Sequence, residues 1–269
     1  MTRSVLLLLL AMALPAAAEE LGDSFVVPLS SPSEDGLLAV HLNSGSMRVM
    51  GEARNDVAVS VKISSNAEAE TEAPPGMRAV ATFPADLEVT EQGNVVTLRS
   101  HSGRQLDVEI AVPSGFSLEL AVYDESAAGI EARGVSGSIT ARATEGPVVL
   151  EGTQGAVLAH SDDGEVRVRV ARLAGDQPLS VTSGQGDVHL TLPASARATA
   201  SIHSDDGNVF SDIELTPLRV YPKPEKAPAG QSFHLRIEGL LKYQINGGGV
   251  AIVLKSLDGD IYLERAREP

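Results

Sequence analysis

Residues 134–170 read GVSGSITARATEGPVVLEGTQGAVLAHSDDGEVRVRV, and within them Gly137, Gly146, Gly155 and Gly164 recur at a strict spacing of nine. Two positions after each glycine stands Ile139, Val148, Val157 or Val166, always β-branched. Four positions after stands Ala141, Leu150, Ala159 or Val168, always apolar. Ser136, Glu145, Gln154 and Asp163 place a polar residue before every glycine. Apolar residues two apart share one face of a strand, because side chains alternate. Each unit therefore reads as one turn plus one short strand, with its glycine expected at a positive φ. A unit of this size cannot bury its own apolar face. Stacked units can, and that is the logic of a solenoid.

The same phrase echoes more loosely elsewhere. Gly45 precedes Met47 and Val49, Gly93 precedes Val95, and Gly186 precedes Val188 and Leu190. Gly207 precedes Val209, and Gly259 precedes Ile261 and Leu263. The uneven spacing implies loops inserted between repeats. Strands are expected at Ser24–Leu29, Leu37–Leu42, Ser46–Met50, Val57–Ile63, Leu87–Val89, Val95–Leu98, Leu106–Val112 and Phe116–Val122. Val57, Val59, Val61 and Ile63 alternate with polar residues, as do Leu106, Val108, Ile110 and Val112. Beyond the nine-residue array, strand character returns at Leu179–Leu192, Ala196–Ile202, Phe233–Ile237, Tyr243–Ile245, Val250–Leu254 and Ile261–Leu263. Residues 66–76 (NAEAETEAPPG) read as a solvated loop, since Glu68, Glu70 and Glu72 cannot pack in a core. Residues 216–230, rich in proline and carrying Lys223 and Lys226, read as an excursion from the stack. No segment keeps a helical period. The expected fold is all-β: a single-domain β-solenoid over 37–269 behind a polar lead-in at 19–36, with about eighteen residues per two-strand coil. An antiparallel sandwich or meander is the alternative, because Asp-Gly between alternating runs is also a hairpin signal.

The address is equally readable. Arg3, the apolar run Val5–Leu14, and Pro15 followed by Ala16-Ala17-Ala18 form a secretory signal at 1–18, with cleavage expected after Ala18. The apolar run is too short to span a bilayer, so no integral membrane segment is expected after processing. The chain of 269 residues carries a formal charge of −15, which disfavours attraction to nucleic acid or to an anionic membrane. With Cys 0 there is no disulfide and no thiolate chemistry, so strand stacking must suffice in the periplasm or outside the cell.

Three stretches carry a resemblance to a known family: Gly137–Val170, the Leu-x-Val-x-Ile-x-Val-Pro strand at 106–113, and the ending Ile245-Asn246-Gly247-Gly248-Gly249 with Leu257-Asp258-Gly259-Asp260-Ile261-Tyr262-Leu263. Together these resemble DUF4097, a family of adhesin-type proteins with a β-helical repeat, over roughly residues 37–265. The chain departs from the pattern at Tyr123-Asp124-Glu125-Ser126-Ala127, where a Ser-Gly turn would stand. The resemblance implies envelope or surface association and brings no catalytic residues.

His160-Ser161-Asp162-Asp163-Gly164 recurs as His203-Ser204-Asp205-Asp206-Gly207. Histidine with carboxylates suits a divalent metal or acid–base work, yet Ser, Asp and Gly are what turns require anyway. The turn reading is adopted. Calcium-binding β-rolls need Gly-Gly-x-Gly-x-Asp in each unit, and one glycine per unit here does not supply it. A β-helical lyase or hydrolase would need a carboxylate pair, for which Asp162, Asp163, Glu165, Asp187, Asp205 and Asp206 are the candidates, and aromatic platforms, which are scarce at 3%. No Gly-x-Ser-x-Gly elbow is present, and Asn43-Ser44-Gly45 and Asn246-Gly247-Gly248-Gly249 lack the following helix of a phosphate loop. The sequence thus points to an exported, non-catalytic envelope or surface protein that binds a protein or glycan along a sheet face. A carbohydrate-acting β-helical enzyme is the alternative. No catalytic, cofactor or metal residues are assigned, and no cofactor is expected.

Overall fold

The computed structural model describes residues 22–63, 87–123, 129–173, 175–218 and 241–267. The expected signal at 1–18, the acidic loop at 66–76, most of the 123–127 departure and the Phe233–Ile237 strand lie outside these residues. Among the described residues there are 21 strands and no helix. The N-terminal strands are β1 (Gly22–Pro28), β2 (Leu37–Leu42), β3 (Gly45–Glu52), β4 (Asp56–Ile63), β5 (Leu87–Gln92), β6 (Val95–Ser100) and β7 (Leu106–Pro113). The central strands are β8 (Ser117–Val122), β9 (Ile130–Arg133), β10 (Ile139–Ala143), β11 (Val148–Thr153), β12 (Val157–Ser161), β13 (Val166–Val170), β14 (Leu179–Ser183) and β15 (Val188–Leu192). The chain closes with β16 (Ala198–Ser204), β17 (Val209–Ser211), β18 (Thr216–Leu218), β19 (Leu241–Ile245), β20 (Val250–Ser256) and β21 (Ile261–Arg265).

Successive nine-residue units fall alternately into two sheets. Ile139 on β10 pairs in parallel with Val157 on β12, and Val148 on β11 with Val166 on β13, so two units make one eighteen-residue coil. The first sheet runs β1-β4-β7-β3-β9-β11-β13-β15-β21-β17, and the second β18-β19-β16-β20-β14-β12-β10-β8-β2-β6-β5. Their inner faces meet in one aliphatic core that includes Val148, Leu150, Val157, Ala159, Val166 and Val168. The departure at 123–127 leaves the register intact, since Leu118–Val122 align with Ile139–Ala143 without a slip. The expected stretch Leu179–Leu192 is two strands joined by a turn.

The fold is solenoid-like, and its strand pairing changes at the ends. Central pairs are parallel. The β1–β4, β4–β7, β5–β6, β16–β19 and β18–β19 pairs are antiparallel, so among the described residues hairpin-type pairing is confined to the ends. Chain order is also broken at both ends. The coil β2–β3 lies between β6–β7 and β8–β9, and the coil β20–β21 lies between β14–β15 and β16–β17.

The turn glycines act differently from expectation. Gly137, Gly146, Gly155 and Gly164 are not among the positive-φ residues. Gly137, Gly155 and Gly164 are glycine because backbone of the neighbouring coil packs on them: a Cβ on Gly155 would overlap the carbonyl oxygen of Gly137 in the preceding coil. Serines tie the same corner together. The Gly164 N–H donates to Ser161 Oγ at 2.9 Å, and that hydroxyl donates to the Gly146 carbonyl at 2.9 Å. The pattern repeats from Ser183–Gly186 onto Gly164, from Ser256–Gly259 onto Gly186, and from Ser204–Gly207 onto Gly259. This relay follows the spatial order of coils, not their order in the chain.

Candidate functional site

In the second sheet eight strands share one register position beside the inward apolar residues. Arg99, His41, Ala121, Arg142, His160, Thr182, Lys255 and His203 occupy this position and are successive cross-strand partners over β6, β2, β8, β10, β12, β14, β20 and β16. At a strand spacing of about 4.8 Å the file is about 34 Å long. Six of the eight side chains are Arg, Lys or His, on a chain whose formal charge is −15. Among the described residues, Arg99, Arg142 and Lys255 form no ion pair, and all three are exposed. Beside the file runs a largely uncharged row of outward residues in which Leu158 and Val253 are 38% and 44% exposed and Glu119 supplies the carboxylate.

The twin His-Ser-Asp-Asp-Gly segments end β12 and β16 and form the corner along this file. His160 Nε2 meets Asp162 Oδ1 at 2.9 Å, and His203 Nε2 meets Asp205 Oδ1 at 2.7 Å. His160 Nδ1 also lies 2.8 Å from Thr182 Oγ1. The two imidazoles do not come together. Strands β14 and β20 separate them, three strand spacings or about 14 Å, whereas ligands of one zinc ion sit about 2 Å from it. Each histidine is instead held by the aspartate two residues on, and the serine and glycine belong to the relay.

On the outer face of the first sheet, charges on β3, β7, β9 and β11 cancel across strands. Arg48 on β3 meets Glu109 on β7 at 3.3 Å and Glu131 on β9 at 2.9 Å, while Arg133 meets Glu151 on β11 at 3.3 Å. The hydrogen bond from the Arg48 guanidinium holds the Glu131 carboxyl below the usual carboxylate range, helped by the charge of Arg133 and opposed by burial. Farther along this face His189, Tyr262 and Phe210 stack ring on ring, with centroids 4.5 and 5.3 Å apart.

The acids considered for sugar chemistry are spread along the turns and are mostly occupied. Asp187 Oδ1 accepts from the Asp260 backbone N–H at 2.8 Å, and Asp260 Oδ1 accepts from the Asn208 N–H at 2.7 Å. Asp163 Oδ1 accepts from the Gln185 side-chain amide at 2.7 Å. The Asn208 N–H also holds the Asp260 carboxyl below its ordinary range. The cation file itself escaped sequence reasoning. Its signal is the residue after the second inward apolar position, but only alternate units share a sheet. In the first sheet the same position carries Arg133, Glu151, Arg169, Thr191 and Glu264, and the mixture hides the pattern.

A crystal structure of a candidate cell adhesion protein from Clostridium sporogenes ATCC 15579 superposes with a TM-score of 0.51 at 10% identity, covering 92% of this chain and all of that one. A candidate adhesin from Bacteroides fragilis NCTC 9343 gives 0.36 at 13% identity, covering 91% and 97%. No curated protein matches the chain. The family model described as Toastrack DUF4097 matches residues 36–221, and the chain therefore belongs to the Toastrack DUF4097 family.

Proposed function

We propose that this is an exported envelope or surface protein that acts without catalysis, an adhesin-like or scaffold module binding a partner along a β-sheet face. In this reading residues 1–18 are the signal, 19–36 the lead-in and 37–269 the functional domain. The observation that carries it is the outer face of the second sheet. That face is long and flat, and Arg99, Arg142 and Lys255 stand on it without an ion pair among the described residues, whereas Arg48 and Arg133 on the first sheet are neutralised across strands. Exposed cations with no carboxylate partner add little to a sheet, so Arg142 and Lys255 are better explained by a partner than by stability. The adhesion-type description of the C. sporogenes protein is consistent with this, although a likeness at 10% identity speaks to fold alone. The test is fractionation followed by binding. The exported protein should begin at Glu19 by mass spectrometry and should co-sediment with isolated envelopes. An intact Met1 in the exported fraction, or envelopes that leave the protein in the supernatant, would overturn the reading.

A further inference from the structure

We infer that the outer face of the second sheet binds a linear carboxylated polysaccharide laid across the strands along the Arg99–His203 file; this rests on the surface-binding reading above and names its ligand class. Three observations converge. The first is charge. Arg99, Arg142 and Lys255 point outward with no ion pair among the described residues, and His41, His160 and His203 stand in the same file. A chain that is acidic overall has concentrated cations in one line a single polymer strand could follow.

The second is spacing and shape. The file repeats at every strand, about 4.8 Å, and a pyranose in an extended chain spans a similar distance, so successive uronate carboxylates can meet successive side chains. The row beside it is flat, with Thr140, Leu158, Ser180 and Val253 level with one another across β10, β12, β14 and β20. Leu158 and Val253 are exposed there and offer apolar contact to the C–H faces of sugar rings. Serine and threonine hydroxyls beside them can bond ring hydroxyls.

The third is pre-organisation. His160 is fixed through both ring nitrogens between Asp162 and Thr182, and His203 by Asp205, so these rings form an ordered wall of the file and the contacts to carboxylates fall to Arg99, Arg142 and Lys255. The carboxylates of the corner also bound the file on one side. They disfavour a broad polyanion such as duplex nucleic acid, which would overlie file and corner together, and leave room for a narrow chain.

The experiment uses the full chain and oligogalacturonate as the probe, with neutral dextran, dextran sulfate and single-stranded DNA as comparison arms. Oligogalacturonate should bind measurably at low salt and weaken as salt is added, because these contacts are exposed. The double variant R142Q/K255Q should bind about tenfold more weakly, given the modest worth of exposed charge pairs. R169Q, which removes an exposed cation from the first sheet, should bind as the unmodified chain does. Unchanged melting temperatures for both variants would separate lost contacts from lost folding. Three results overturn the inference: no binding of oligogalacturonate, equal weakening by R169Q, or tighter binding of dextran sulfate or DNA. If envelopes still capture R142Q/K255Q as well as the unmodified chain, the polysaccharide assignment fails while the surface-binding function stands. If envelopes fail to capture the unmodified chain, the function fails as well.

Discussion

The hydroxyl of Ser183 accepts from the Gly186 N–H at 3.0 Å and donates to the Gly164 carbonyl at 2.9 Å, with the residue 4% exposed. Ser183→Ala removes both bonds and leaves two backbone groups short of partners in a buried corner. A loss of about 1–3 kcal/mol is expected, read from denaturant unfolding. Gly155 tests the other half of the corner. Its backbone is ordinary, so conformational strain is not the issue, and the obstacle is the Gly137 carbonyl one coil away. Even Gly155→Ala should therefore destabilise, by about 1–3 kcal/mol for an overpacked site, and Gly155→Val by more. If Gly155→Ala melted with the unmodified chain, turn-on-turn packing would not be the reason for glycine. The sequence placed the turns correctly and Val148, Val157 and Val166 inward, all at most 3% exposed. It misassigned the glycines' role, because a close approach to another coil leaves no local trace.

At the scale of elements, the first sheet is tied across β7, β3, β9 and β11 by the Glu109–Arg48–Glu131 and Arg133–Glu151 contacts. Glu131 is the member whose protonation should be felt. The Arg48 hydrogen bond lowers its pKa on folding. Its stabilisation is therefore present above the unfolded carboxylate value and is lost as pH falls through the lower folded one. Glu131→Gln should flatten the acid arm of the stability curve and cost a little at neutral pH, as melting temperatures between about pH 3 and 7 would show. An acid arm as steep as before would assign the dependence to other carboxylates.

For the whole molecule, the out-of-order coil is the feature with the largest consequence. Strands β20 and β21 bury Ile252, Leu254, Ile261 and Leu263 between two coils that precede them in the chain. At about 1.5–3 kcal/mol for each buried side chain, their loss approaches the whole stability of an ordinary domain, about 5–15 kcal/mol. Deleting residues 247–269 should thus abolish cooperative unfolding. Deleting the capping strand β1 should only lower the melting temperature. A truncated chain that still melted sharply would mean the β16–β17 coil can settle directly on β14–β15.

Where strands and turns fall, and which side chains face inward, could be read from the chain alone, because alternation and glycine spacing are local and each unit carries its own signal. The Ser-x-x-Gly turns were legible as turns, and the fold class followed from equal units that cannot stand alone. Only the tertiary structure decided which coil lies on which. Every coil offers the same backbone ladder and the same serine–glycine corner, so local pattern accepts many neighbours, and loop lengths with core packing select one. That selection carried β20 between β14 and β16 and β2 between β6 and β8. With it, residues far apart in the chain, from Arg99 to Lys255, became one file of cations on one face.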